Sequence, residues 1–285
     1  MKKINHHLRK YKKFALLLFL LLTTSCSKII ETTPPTYSRK DIVNIIKKMC
    51  YDEFNITVQV WEVGDSIWVY APFEDIITEK GEWRKEVSTD LDRIYLSLAR
   101  TILSMDRRPL FYCFAISDIK NGYDIYFIWY IPDFMMFQFG YISRGQFLER
   151  RALIYFPNPA AINDKEGNHI KPYDISLGEF VAYLISQNLQ IKFTSDELKD
   201  ILQLEKLTTD YQNTKLTVEV DAKITKYQPN LIDPIEEAKS MVKKFLKIYG
   251  EKANITEIEI KTPLQSRIYS PKALFEENIF LKKTI

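Results

Sequence analysis

Residues 110–131 read LFYCFAISDIKNGYDIYFIWYI. Two apolar runs, Leu110 to Ile116 and Tyr123 to Ile131, flank Lys120-Asn121-Gly122. Aromatic and β-branched residues suit strands, and Asn-Gly adopts the positive φ of a tight turn, so the segment predicts a hairpin. Upstream, Leu91, Ile94, Tyr95, Leu98 and Ile102 form the apolar stripe of a helix over 87–105, closed by Pro109. Before it, Ile56, Val58 and Val60, then Ile67 and Val69, alternate on either side of Gly64-Asp65, which predicts another hairpin. Ser38 with Asp41 resembles a capping box, and Ile42, Ile45, Ile46 and Met49 share one face of a helix over 39–53. The order helix, two strands, helix, two strands predicts an α+β unit over 38–156, with helices packed on one face of an antiparallel sheet.

Residues 157–173, rich in Pro, Asn, Asp and Gly, read as a linker. A second small α+β domain is expected over 174–262. Ser176 with Glu179 and Thr194 with Glu197 are capping boxes for helices near 177–188 and 195–206. Leu216, Val218, Val220, Ala222 and Ile224 alternate with polar residues, as in a half-exposed strand. Asp233, Pro234 and Gly250 bracket a helix as N-cap, first residue and stop. Ile255 to Ile260 alternates again, and 263–285 reads as an irregular tail. Asn55-Ile56-Thr57 with Tyr70 and Pro72 matches the spacing of Asn254-Ile255-Thr256 with Tyr269 and Pro271. In that register Val58 and Val60 align with Glu257 and Glu259, opposite faces of a strand, so duplication is not the favoured reading.

The N-terminus carries an address. Lys2, Lys3, Arg9, Lys10, Lys12 and Lys13 precede nine apolar residues, Phe14 to Leu22, and no acid occurs before Glu31. This is the pattern of a secretory signal over 1–25, too short an apolar run to span a bilayer. Leu22-Thr23-Thr24-Ser25-Cys26 resembles the lipobox of bacterial lipoprotein precursors, although Thr23 stands where Leu is usual. The resemblance implies that Cys26 is acylated and becomes the mature N-terminus, that 26–37 is a tether stiffened by Pro34-Pro35, and that the protein sits in the cell envelope on a membrane. Ser27, in place of an Asp, points to the outer rather than the inner membrane. Of the 285 residues, 40 are Lys or Arg and 37 Asp or Glu; without the six basic residues of the signal the balance is 34 to 37, a net charge of −3. A basic nucleic-acid-binding protein is therefore disfavoured, as is a disordered chain, given 46% hydrophobic content.

Chemistry is sparse. His169 is the only histidine beyond the signal, so zinc sites needing two histidines are excluded; it reads as a loop residue without a role. The eight glycines are dispersed, and no phosphate-cradling loop exists. Ser240-x-x-Lys243 lies mid-helix without a partner motif, and Gly140 to Gly145 misses the nucleophile-elbow spacing by one residue. No catalytic residue, metal site or cofactor is assigned. Cys50 and Cys113 are read either as a disulfide or as two buried thiols. The most suggestive segment is Tyr126 to Tyr141, YFIWYIPDFMMFQFGY, in which eight of sixteen residues are aromatic. It is read as core or as an exposed surface for an apolar ligand or partner, with Trp129, Phe134, Met136 and Phe137 as the candidate residues and Arg144, Glu149, Arg150 and Arg151 as a possible rim. The expected function is non-catalytic binding or assembly with an envelope protein at the membrane surface. The alternatives are a carrier or chaperone for a lipid or other apolar ligand and an envelope hydrolase.

Overall fold

The computed structural model describes residues 36–78, 82–225 and 233–280. The signal over 1–25, Cys26 and the tether as far as 35 lie outside the described residues. Helices and hairpins alternate along the chain. Helix α1 (Ile42–Phe54) leads into β1 (Gln59–Val63) and β2 (Ser66–Phe73), and α2 (Lys85–Leu103) into β3 (Phe111–Asp118) and β4 (Tyr123–Tyr130). Then α3 (Ile131–Gln138) and α4 (Arg144–Glu149) precede β5 (Arg151–Pro157). The pattern resumes with α5 (Leu177–Phe193), β6 (Leu202–Gln212) and β7 (Lys215–Ile224), followed by α6 (Pro234–Tyr249), β8 (Glu257–Lys261), β9 (Ser266–Tyr269) and α7 (Pro271–Phe280). The strand orders are β1-β2-β3-β4-β5 and β6-β7-β8-β9. This is an α+β fold, as expected.

Three expectations are corrected. The sheets are not wholly antiparallel: β2 with β3 and β7 with β8 are parallel pairs. Each hairpin closes on itself, but consecutive hairpins are joined through a helix, and such a crossover places the joined strands parallel. The helix predicted over 195–206 is a turn followed by β6. Thr194 caps the end of α5, its hydroxyl donating to Gln190 O at 2.8 Å, and the Leu-rich segment after it pairs with β7 from Leu202↔Ile224 to Gln212↔Lys215. Long-range pairing overrides a helical pattern here. The predicted irregular tail contains β9 and α7, held down by Tyr269 and Leu274, both buried.

The helix-hairpin module thus occurs four times, twice per sheet. The spacing shared by Asn55 and Asn254 falls on equivalent places in the first and fourth modules: both residues are left-handed caps, at φ 56° and 50°. The registers are nonetheless offset by one residue, since Val60 faces the core where the equivalent Glu259 faces outward beside Lys215 and Lys261.

The modules stack in layers: α1 and α2, the first sheet, α5 and α6, the second sheet. Helices therefore cover both faces of the first sheet rather than one. Helix α5 buries apolar residues toward both the first sheet and α6; its Phe180 lies 5.4 Å from Phe111 of the first sheet and 6.0 Å from Tyr249 of α6. One continuous core joins Trp68, Phe111 and Ile128 to Leu216, Val218 and Ile258. A second fills the space between the first sheet and α1 with α2. Cys50 belongs to the second core and Cys113 to the first, so they lie on opposite faces of the sheet as free thiols, and burial pushes both pKa values up.

The outer face of the second sheet ends the stack with charges. Lys215 bridges Glu257 and Glu259, Lys261 reaches Glu259, and Lys206 pairs with Glu219. Hydrogen bonds, first from Lys215 and then from Lys261 and Ser266, outweigh burial and hold the Glu259 carboxyl at about 2, against an ordinary 4.5. Its stabilisation is therefore complete above the ordinary value and lost as pH falls toward 2. Glu259→Gln is expected to flatten acid unfolding between those limits, as measured by circular dichroism against pH.

Candidate functional site

Strand β4 alternates, with Ile125, Phe127 and Trp129 on the face toward α2, and pairs with β5 in the register Ile125↔Tyr155, Phe127↔Leu153 and Trp129↔Arg151. On that face Val69, Tyr112 and Ile116 are sealed beneath α1 and α2, whereas Leu153 and Tyr155 of β5 are 41% and 54% exposed. The helices are simply too few to cover five strands, and a trough remains along β4 and β5. Its deeper end is a cavity of about 360 Å³, within the range of small-molecule sites. Phe114, Phe127 and Trp129 form the floor, Leu91 and Tyr95 of α2 one wall, and Phe137, Phe147 and Leu148 the end. A second cavity, of about 260 Å³, lies further along the same face between Ile76, Ile77, Ile125 and Tyr155.

The aromatic segment divides on this surface. Trp129 and Phe137 line the cavity. Phe134 is buried between Tyr95 and Phe147, and Met136 is exposed but not part of the lining. Phe134 and Phe137 are one helical turn apart, and α4 determines which is sealed: Phe147 stacks on Phe137 at 4.8 Å and leaves its other side facing the cavity.

The charged run after the segment also divides. Arg150 bonds Asp133, whose second oxygen accepts from Tyr249 of α6 at 2.6 Å; burial raises the Asp133 carboxyl despite these partners. Glu149 pairs with Lys244 of α6. Arg144 and Arg151 line the cavity, and no described acid lies within ion-pair distance of either. Arg151 is half-buried over the Phe127 ring at 5.1 Å, and burial lowers its pKa. A partly desolvated cation without a counterion is costly unless something anionic joins it. Trp129 Nε1, also buried, has no hydrogen-bond partner among the described residues.

A polar cluster lies on the other face of the same strands, and here the reading of His169 as a roleless loop residue is overturned. His169 Nδ1 is 2.6 Å from Asp164 Oδ2, and Nε2 is 3.2 Å from both Asp124 Oδ1 and Ser117 Oγ. Asn158 donates to Asp124 at 2.7 Å, and Tyr70 OH donates to Asp164 O at 2.6 Å. Gly167 closes the loop at φ 72°, where a Cβ would meet the Tyr70 ring at 2.6 Å. The residues read as a linker, 157–173, are thus pinned to the first sheet. Ser117, His169 and Asp164 have the connectivity of a nucleophile, base and orienting acid. Ser117 is fully buried, however, its hydroxyl donates to Asp124, and the imidazole is 4% exposed, so the arrangement is a closed clasp with no room for a substrate. No group of three or more His, Cys, Asp or Glu among the described residues could hold a metal ion. No helix of the described residues is long and apolar enough to cross a membrane.

Fold and site together define an α+β protein built of helix-hairpin modules with an open aromatic trough. Comparison of the chain with protein-family models, curated proteins and solved structures finds no match.

Proposed function

We propose that the chain is an envelope lipoprotein, anchored through acyl chains on Cys26 to the outer membrane, and that it acts by binding, with the β4–β5 trough taking an apolar ligand. The supporting observation is the trough itself: a cavity floored by Phe114, Phe127 and Trp129 that continues onto the exposed Leu153 and Tyr155. Its size and lining suit a ligand that needs shielding from water. An exposed Leu148, at 40%, guards the same end.

An environment-sensitive apolar dye tests this. Leu148→Glu and Leu153→Glu place charges in the trough at exposed positions, where substitutions shift stability by only about 0.5 kcal/mol. Dye binding to the full chain is expected to fall about tenfold in either variant, the equivalent of about 1.4 kcal/mol, with the melting temperature held. Unchanged dye binding in both would refute the trough as the site.

A protein partner, the basis of an assembly role, is the second reading. It is favoured by β5 being an edge strand that exposes Leu153 and Tyr155, whereas the long edge strand β6 carries the usual protection of Glu205, Lys206 and a bulge.

A further inference from the structure

We propose that the trough takes a single-chain amphiphile with a carboxylate head, a long-chain fatty acid, with the head at Arg151 and Arg144 and the chain lying along β4 and β5 toward Tyr155. This rests on the reading of the trough as a ligand site and adds the chemistry of its occupant.

The head is assigned by the two unneutralised cations. Within the charged run 144–151, Glu149 and Arg150 are consumed by Lys244 and Asp133, and the two arginines left without an acid are the two that line the cavity. Arg144 stands in the first turn of α4 and Arg151 at the start of β5, so both converge on one end of the trough. Their guanidinium groups are suited to bidentate recognition of a carboxylate. Asp92 on α2, the only acid among the described residues of the lining, is exposed and bonded to neither arginine.

The direction is assigned by the other end. The second cavity contains Asp118, whose carboxylate accepts from the backbone amides of Ile76, Lys120 and Asn121 and so offers an anion nothing but repulsion. Between the two ends the lining is apolar, through the pairs Phe127 with Leu153 and Ile125 with Tyr155 and through the exposed Trp83, whose ring packs on Phe127 at 6.4 Å. From Trp129 to Tyr123 the strand rises about 20 Å at roughly 3.4 Å per residue. The trough is two strands wide, about 4.8 Å between neighbours, which is room for one acyl chain beside α2.

The test measures binding of palmitate and of hexadecanol, equal in length and differing in the head, to the full chain and to its Arg151→Gln and Arg144→Gln variants. Palmitate is expected to bind at least about tenfold tighter than the alcohol, the scale of one charge-assisted hydrogen bond. Arg151→Gln is expected to bring palmitate to the level of the alcohol, and Arg144→Gln to weaken it in part. Equal binding of acid and alcohol, unmoved by either variant, would overturn the carboxylate head and leave the trough standing as an apolar site. Failure of both probes to bind would instead overturn the trough reading on which the inference rests. Tighter binding of a two-chain phosphatidic acid than of palmitate would overturn the single chain.

Discussion

Phe180→Ala is expected to lower the stability of the whole chain by about 3–5 kcal/mol, the cost of emptying a buried aromatic site, and to do so in one transition. Phe180 is fully buried on α5, the helix shared by the two sheets, 5.4 Å from Phe111, 6.2 Å from Tyr130 and 6.0 Å from Tyr249. The cavity left behind opens toward both sheets at once. All four tryptophans, Trp61, Trp68, Trp83 and Trp129, lie in the N-terminal half, so their fluorescence reports the first sheet, while far-ultraviolet circular dichroism reports both. In urea the two signals are expected to shift together to lower midpoints. A fluorescence transition that stays in place while circular dichroism becomes biphasic would show two independently folding halves and contradict the shared core.

Removing the clasp is expected to be as costly. His169→Ala leaves the carboxyls of Asp124, fully buried, and Asp164 each short of a hydrogen-bond partner, and an acceptor left unsatisfied in this way costs about 1–3 kcal/mol, more when it is charged. The loss has a pH signature. Burial would raise the Asp164 carboxyl, but hydrogen bonds from the His169 side chain and backbone outweigh it and leave it below its ordinary value of 3.8. A carboxyl lowered in the folded state stabilises the fold above its unfolded value and loses that contribution as pH falls through the folded one. The urea midpoints of the parent and the His169→Ala variant should therefore lie far apart at pH 7 and approach each other at acid pH. A gap that is small at pH 7, or that does not narrow on acidification, would show that the clasp carries no stability of this kind.

Local structure was legible where the chemistry is local. Asp233 accepts from Ile235 N at 2.8 Å, Pro234 opens α6 and Gly250 ends it at φ 54°. Ser176 and Glu179 form the reciprocal capping box that opens α5. Leu216, Val218 and Val220 face the core as their alternation implies. The hairpin of residues 110–131 forms with Gly122 at φ 73°, and Asp118 ties the turn amides of Lys120 and Asn121. What failed depended on distant partners. Residues 195–206 have a helical pattern that only the pairing with β7 overrides, and the tail folds only because α6 offers α7 a surface.

The site was half legible for the same reason. An aromatic segment followed by arginines marked the region, but whether Phe134 or Phe137 faces the cavity is decided by α2 and α4. Which arginines remain unpaired is decided by Asp133, which is 17 residues from Arg150, and by Lys244, which is 95 residues from Glu149. His169 shows the limit most plainly: its partner Ser117 is 52 residues away, and no spacing rule connects them.

The trough is tested most directly by titrating the methyl-labelled full chain with palmitate and following its resonances. Methyl signals of Leu91, Ile125, Leu148 and Leu153 are expected to shift together and saturably, while those of Leu216, Val218 and Ile260, in the core beneath the second sheet, stay in place. Shifts confined to the second sheet, or a saturable interaction that leaves those four residues untouched, would contradict the assignment of the ligand site.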